Sequence, residues 1–174
     1  MTQESGNTMA SDMLHADSNQ YLTFLLNGEE YGVEILRVQG IQGWDNVTPI
    51  PNSPGYVLGV MNLRGAIVPI IDLRKRFNMP TLDVGPTTVI IVVRVENNDR
   101  SQVIGMVVDA VSEVYRLDQE SIQDFPEINS AVTSDFIKGL STVDDKMLIL
   151  LDVDKLLSIR DIAAEQRSLS AALV

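Results

Sequence analysis

Ten short apolar runs, each closed by a turn signal and none joined by a helical stretch of ten or more residues, set the first limit on this chain. A crossover between parallel strands usually needs a helix of that length, so the runs predict an all-β, antiparallel fold. Tyr21–Leu26 leads into Asn27-Gly28, the dipeptide suited to a two-residue hairpin turn. Glu29–Ile35 follows, with Tyr31, Val33 and Ile35 on one face. The remaining expected strands are Val38–Trp44, Tyr56–Leu63, Ala66–Ile71, Thr87–Val95, Gln102–Val108, Val111–Leu117, Ile137–Ser141 and Lys146–Leu151. Pro49, Pro51 and Pro54 mark a loop at a sheet edge, while Asn97-Asn98-Asp99 and Asp144-Asp145 mark turns. Asp72 and Asp152 read as N-caps of short helices, the second continued by a tail from Ser158 to Val174.

An internal repeat organises these runs. Residues 32–41 align with 105–114, and 59–73 with 139–153; in the second pair each leading Gly precedes its Asp by 13 residues. Each copy holds about 65 residues, a size that buries only about 60% of its unfolded surface and is marginal alone. The copies must therefore share an interface. Val89-Ile90-Ile91-Val92-Val93 is apolar on both pleat faces, as suits a strand with its own core on one side and a neighbour on the other. The expectation is two five-stranded barrels with a groove between them. The first spans about 20–80 and the second about 86–158, flanked by a flexible 1–19 tail and a 159–174 tail or helix.

Charge and composition narrow the chemistry. With 13 Lys and Arg against 24 Asp and Glu, the net charge is −11, which argues against nucleic acid. Arg74-Lys75-Arg76, the one basic cluster, reads as a solvated face. No run of 18 apolar residues occurs to span a membrane. Cysteine is absent, excluding disulfides, thiolate nucleophiles and cysteine metal sites. The one histidine, His15, lies in the polar N-terminal run, which lacks the basic start and apolar stretch of a secretory signal. These features point to the cytoplasm. No nucleotide-binding glycine motif or calcium loop occurs, and aromatics are too sparse for a stacking platform, so no cofactor or metal is expected and a protein-binding module is favoured over an enzyme.

The run Gly59-Val60-Met61-Asn62-Leu63-Arg64-Gly65-Ala66-Ile67-Val68-Pro69-Ile70-Ile71-Asp72-Leu73-Arg74-Lys75-Arg76-Phe77 resembles the signature of the CheW family, coupling proteins of bacterial chemotaxis. Glu30-Tyr31-Gly32, Gly105-x-x-Val108-Asp109-x-Val111, Phe136-Ile137-x-Gly139 and Leu150-Leu151-Asp152-x-x-Lys155-Leu156-Leu157 extend the likeness over about residues 20–158. The resemblance implies two intertwined five-stranded barrels and a non-enzymatic adaptor joining the cytoplasmic tips of chemoreceptors to the regulatory domain of a CheA-type kinase. It places receptor binding in the inter-barrel groove, on Val38, Gly40, Gly59, Asn62, Arg64, Val89, Gly105 and Val111. Kinase binding falls on Asp45, Val47 and Pro51 of one loop and on Gln123, Glu127 and Ile128 of another.

The residues have plainer readings too. The valines suit a strand core, and Gly59 and Gly65 suit turn or bulge geometry. Arg64, before a turn glycine, is placed to reach a carboxylate across a groove. One position departs from the family pattern. Gly40 stands where the resemblance implies an acid paired with Arg64, whereas the second copy keeps Glu113 at its equivalent place. The alternative expectation is therefore a CheW-like scaffold of a different chemosensory pathway with altered receptor binding. Further alternatives are an adaptor regulated by a separate phosphorylated receiver protein and a small barrel for oligosaccharides or oligonucleotides. The free protein is expected to be a monomer.

Overall fold

The computed structural model describes residues 19–45, 47–97, 100–125 and 134–158. Ten strands run in chain order: β1 (Gln20–Leu26), β2 (Glu29–Glu34), β3 (Val38–Gly43), β4 (Val57–Leu63), β5 (Ala66–Asp72), β6 (Val89–Asn97), β7 (Arg100–Val108), β8 (Ala110–Arg116), β9 (Ile137–Val143) and β10 (Lys146–Leu151). Two one-turn helices follow β5 and β10: α1 (Leu73–Arg76) and α2 (Val153–Leu156). Every expected strand is present, with ends shifted by one to two residues. Asn27 and Gly28 take φ of 54° and 80°, and Asp144 and Asp145 take 51° and 63°, as their turns require. Both helix caps also form. The Asp72 carboxylate accepts from the amides of Arg74 and Lys75, and Asp152 from those of Asp154 and Lys155, an arrangement each worth about 1 kcal/mol. No helix is long and apolar enough to cross a membrane among the described residues.

The strands form two curled five-stranded sheets, β8-β1-β2-β10-β9 and β3-β6-β7-β5-β4. Replacing each strand of one sheet by its repeat equivalent generates the other, so a pseudo-twofold axis relates them. Two expectations need correction. The sheets do not divide the chain at residues 80–86: β1 and β2 leave the first copy to join β8, β9 and β10, and β6 and β7 join β3, β4 and β5. Nor are the sheets wholly antiparallel. β2 runs parallel to β10 and β7 parallel to β5. No long crossover helix is needed, because each parallel pair joins strands of different copies, and the β5-to-β7 connection carries β6 as well as α1.

Glycine permits these two contacts. Gly32 pairs with Leu150, and Gly105 with Ile70. A Cβ on Gly105 would lie 2.7 Å from Ile70 Cδ1 and 2.8 Å from Ile90 Cγ2, and one on Gly32 would lie 3.1 Å from Leu150 Cδ2. The bare backbone lets the large side chain of the exchanged neighbour fill the barrel.

Three cores result. Met61, Val68, Ile70, Ile90, Val92 and Val107 fill one barrel, and Tyr21, Leu117, Leu148 and Leu150 fill the other. A larger cluster between the sheets draws Phe24, Val33 and Leu151 from one and Ile71, Ile91, Val93 and Met106 from the other. β6 is buried on both faces as the sequence implied, with Ile90 and Val92 inside the barrel and Ile91 and Val93 at the seam.

Candidate functional site

Among the described residues no group of His, Cys, Asp or Glu is placed to hold a metal ion. The residues assigned to the receptor divide into three sets.

Gly40, Gly105 and Gly59 lie in one row across a sheet, in the register Gly40-Val92-Gly105-Ile70-Gly59. Gly40 sits beside a β-bulge in edge strand β3, and a Cβ there would meet nothing within 4 Å. Gly59 is the opposite case. Its φ is +147°, and a Cβ would fall 2.0 Å from the Thr48 carbonyl oxygen, because the loop after β3 crosses here to bridge Thr48 to Val60. Gly59 and Gly105 are therefore packing positions, whereas Gly40 faces open space.

Val38, Val89 and Val111 form the second set. All three are half-buried and pack on the core between the sheets, so they lie where the barrels meet. Val38 and Val111 are repeat equivalents on the free-edged strands β3 and β8.

Asn62 and Arg64 form the third, at the β4–β5 hairpin end, with Asn62 about 10 Å along the strand from Gly59 and Arg64 in the turn beyond it. Asn62 Oδ1 accepts from the amide of Gly65 at 2.9 Å, which fixes the turn. Arg64 is its first residue, at φ 51°, exposed and without an ion pair among the described residues. Its equivalent is Asp144. That acid lies close enough to Tyr115 to help raise its phenol to about 12, a shift caused first by the hydrogen bond to Glu113. Glu113 in turn occupies the place equivalent to Gly40, and its backbone is held on both sides by the buried Thr23 hydroxyl, at 2.9 and 3.0 Å. The second copy thus carries exposed acids, Glu113 and Asp144, at the places where the first has Gly40 and the exposed guanidinium of Arg64.

The two loops assigned to the kinase are pseudo-equivalent. Thr48 bridges Val60 in one, and Gln123 bridges Leu140 in the other. Asp45 and Pro51 are exposed and Val47 packs on the core of its barrel. Gln123 is exposed, while Glu127 and Ile128 lie outside the described residues.

Sequence reasoning missed two features. Ile41 and Ile67, about half and two-thirds exposed at 48% and 64%, have exposed repeat equivalents in Val114 and Met147 at 49% and 58%. The repeat alignment was the signal that could have found them. The basic cluster is also more than a solvated face, since Arg74 is buried and Arg76 lies between two rings. Its partners are distant in sequence, which hides them from any local pattern.

Known proteins repeat this arrangement. A family model described as the CheW-like domain matches residues 20–161. "Chemotaxis protein CheW" of Klebsiella aerogenes is 44% identical over 144 residues, 83% of this chain and 84% of the relative. "Probable chemotaxis protein CheW" of Rhizobium etli is 39% identical over 145 residues, 83% of this chain and 91% of that one. The crystal structure of scaffolding protein TtCheW from Thermoanaerobacter tengcongensis superposes with a TM-score of 0.73 at 33% identity, covering 82% of this chain and 89% of its own. The family model covers well over half of the chain and the relatives align over most of their own length, so the chain belongs to the CheW-like family.

Proposed function

We propose that this protein is a non-enzymatic adaptor that couples chemoreceptors to a CheA-type histidine kinase. The observation that carries this reading is the doubling of surfaces. One molecule offers an equivalent loop on each barrel, bridged at Thr48 and at Gln123, with the half-buried Val38, Val89 and Val111 at the seam between. A molecule so built can hold one partner at its groove and another at a barrel end, keeping the kinase beside the receptor. The CheW names of its relatives support the same role. In this reading the protein works in the cytoplasm, recruited to receptor arrays, and is a monomer when free.

A second reading is favoured by Gly40. With glycine in place of an acid at position 40, the chain is a scaffold of a different chemosensory pathway whose receptor side differs from that of its relatives. Calorimetric titration with the regulatory domain of a CheA-type kinase from the same cell tests the adaptor role. Saturable binding that survives Arg64→Ala and is impaired by Asp45→Lys with Gln123→Glu is expected, and no binding by the folded protein refutes it. A receptor-tip fragment separates the two readings, since Gly40→Glu, which meets no obstruction, changes receptor affinity only if the missing acid matters.

A further inference from the structure

The barrels are fastened at both ends of their seam by two ion pairs that the repeat relates with reversed charge. At one end Arg74 of α1 grips Asp109, between β7 and β8, through two bonds: Nε to Oδ1 at 2.7 Å and Nη2 to Oδ2 at 2.6 Å. At the other, Asp154 of α2 takes Arg37, between β2 and β3, at 2.8 Å. Arg74 and Asp154 are repeat equivalents, and Arg37 and Asp109 fall one position apart in the other alignment. In both pairs the first copy supplies the cation and the second the anion.

Each clasp ties further segments. Asp109 Oδ2 also accepts from the amide of Asn27 in the β1–β2 turn, and its carbonyl accepts from the Thr87 hydroxyl; Arg74 donates to the Pro80 carbonyl. The exposed connection between the copies is thus held at both ends. Asp154 Oδ1 accepts from the amide of Glu96 in β6, and Arg37 Nη1 lies 3.5 Å from Glu96 Oε2 as an ion pair. The arginine beside Asp109 holds that carboxyl below the usual carboxylate range, against the effect of its burial.

The clasps flank the groove valines. Val38 directly follows Arg37, Val111 lies two residues after Asp109, and Val89 two after Thr87. None of the four clasp residues is among those assigned to a partner. We infer that Arg74–Asp109 and Arg37–Asp154 are positioning pairs that set the angle between the barrels, and with it the spacing of Val38 and Val89 in one sheet from Val111 in the other, across the groove. The geometric part stands by itself; its consequence for receptor binding rests on the adaptor reading.

The absence of native cysteine makes the angle measurable. Spin labels on Ser101→Cys in one sheet and Thr142→Cys in the other, both exposed, report the inter-barrel distance. The reversals Arg74→Glu and Asp154→Arg should each broaden the distance distribution, and the exchanges Arg74→Glu with Asp109→Arg and Asp154→Arg with Arg37→Glu should narrow it again. Receptor-tip affinity should fall about tenfold with a single reversal and recover with the exchange, while kinase-domain affinity, read from one barrel, stays within about twofold. A folded single reversal with an unchanged distribution overturns the inference. Should reversals unfold the chain, Arg74→Lys and Arg37→Lys, which keep charge but lose the planar fork, decide in the same way: an unchanged distribution overturns it. An altered distribution in a chain whose wild type binds neither partner refutes the adaptor reading and leaves the positioning pairs standing.

Discussion

Gly59→Ala tests whether this glycine, in the strand signature, serves packing or contact. At φ +147° an L side chain is strained, at a cost of roughly 1–3 kcal/mol. The new Cβ would stand 2.0 Å from the Thr48 carbonyl oxygen and 2.9 Å from Pro49 Cα, both backbone, so the loop must move. That movement breaks the bridge, in which the Thr48 and Val60 amides each donate to the other's carbonyl at 2.9 Å. Two such bonds contribute about 2 kcal/mol, giving an expected loss of about 3–5 kcal/mol from a domain whose whole stability is about 5–15. Urea denaturation followed by far-UV circular dichroism reads this directly as a lower midpoint at unchanged slope. Gly40→Ala is the control in the same row, where open space predicts no loss and a gain of up to about 1 kcal/mol from a stiffer unfolded chain. A Gly59→Ala protein within about 1 kcal/mol of wild type, still bridged, would refute the packing account and return Gly59 to the receptor surface.

Arg76→Ala should destabilise by about 1–3 kcal/mol in the same assay, because the guanidinium lies 4.9 Å from the Tyr56 ring and 4.6 Å from Phe136 and Nε donates to the Leu156 carbonyl. Asp109, lowered first by Arg74, stabilises fully above the unfolded carboxylate range, about pH 4, and that contribution is lost as pH falls through its lower folded value. Asp109→Asn should therefore flatten the acid limb of the stability profile, and an unchanged acid limb would contradict this. Tyr115 should titrate near 12 by nuclear magnetic resonance and fall toward 10 in Glu113→Gln; since the folded value is the raised one, its stabilising share is whole below about pH 10 and disappears as pH rises through about 12.

Much of the fold is legible because period-two alternation and turn chemistry act over few residues. Asn27-Gly28, Asp144-Asp145 and the two aspartate caps each have a local cause, and so does β6, whose apolar character on both faces announces two cores. The exchange of strands is not legible in that way. Alternation puts Tyr31 and Val33 on one face of β2 but shows neither that the face of Glu30 and Gly32 is buried as well nor whether β5 or β10 lies beside it; the deciding fit, Gly32 under Leu150, joins residues 118 apart. The site divides along the same line. Arg64 is recognisable from its turn, and the valines at the seam from their strands. The bond from Arg74 to Asp109 depends on a contact between copies, so a buried clasp residue reads as part of a solvated basic run.

The pseudo-twofold axis explains why the copies differ where they do. Arg76 donates to Leu156, its own repeat equivalent, and stacks between Tyr56 and Phe136, which are equivalents of each other, so it sits close to the axis. Two guanidinium groups could not share that place; one arginine and one leucine can. The same holds at the seam ends, where two first copies facing each other would set Arg37 against Arg74, and two second copies would set Asp109 against Asp154. Only unlike copies satisfy both clasps and the axis, so the charge pattern specifies the exchanged single-chain arrangement over symmetric pairing of either half. The divergence reaches the surface as well, leaving Arg64 at one hairpin tip and Asp144-Asp145 at the other above equivalent aliphatic residues. The two barrels thus present faces of like shape and unlike charge, and the requirement that the halves recognise each other accounts for the difference.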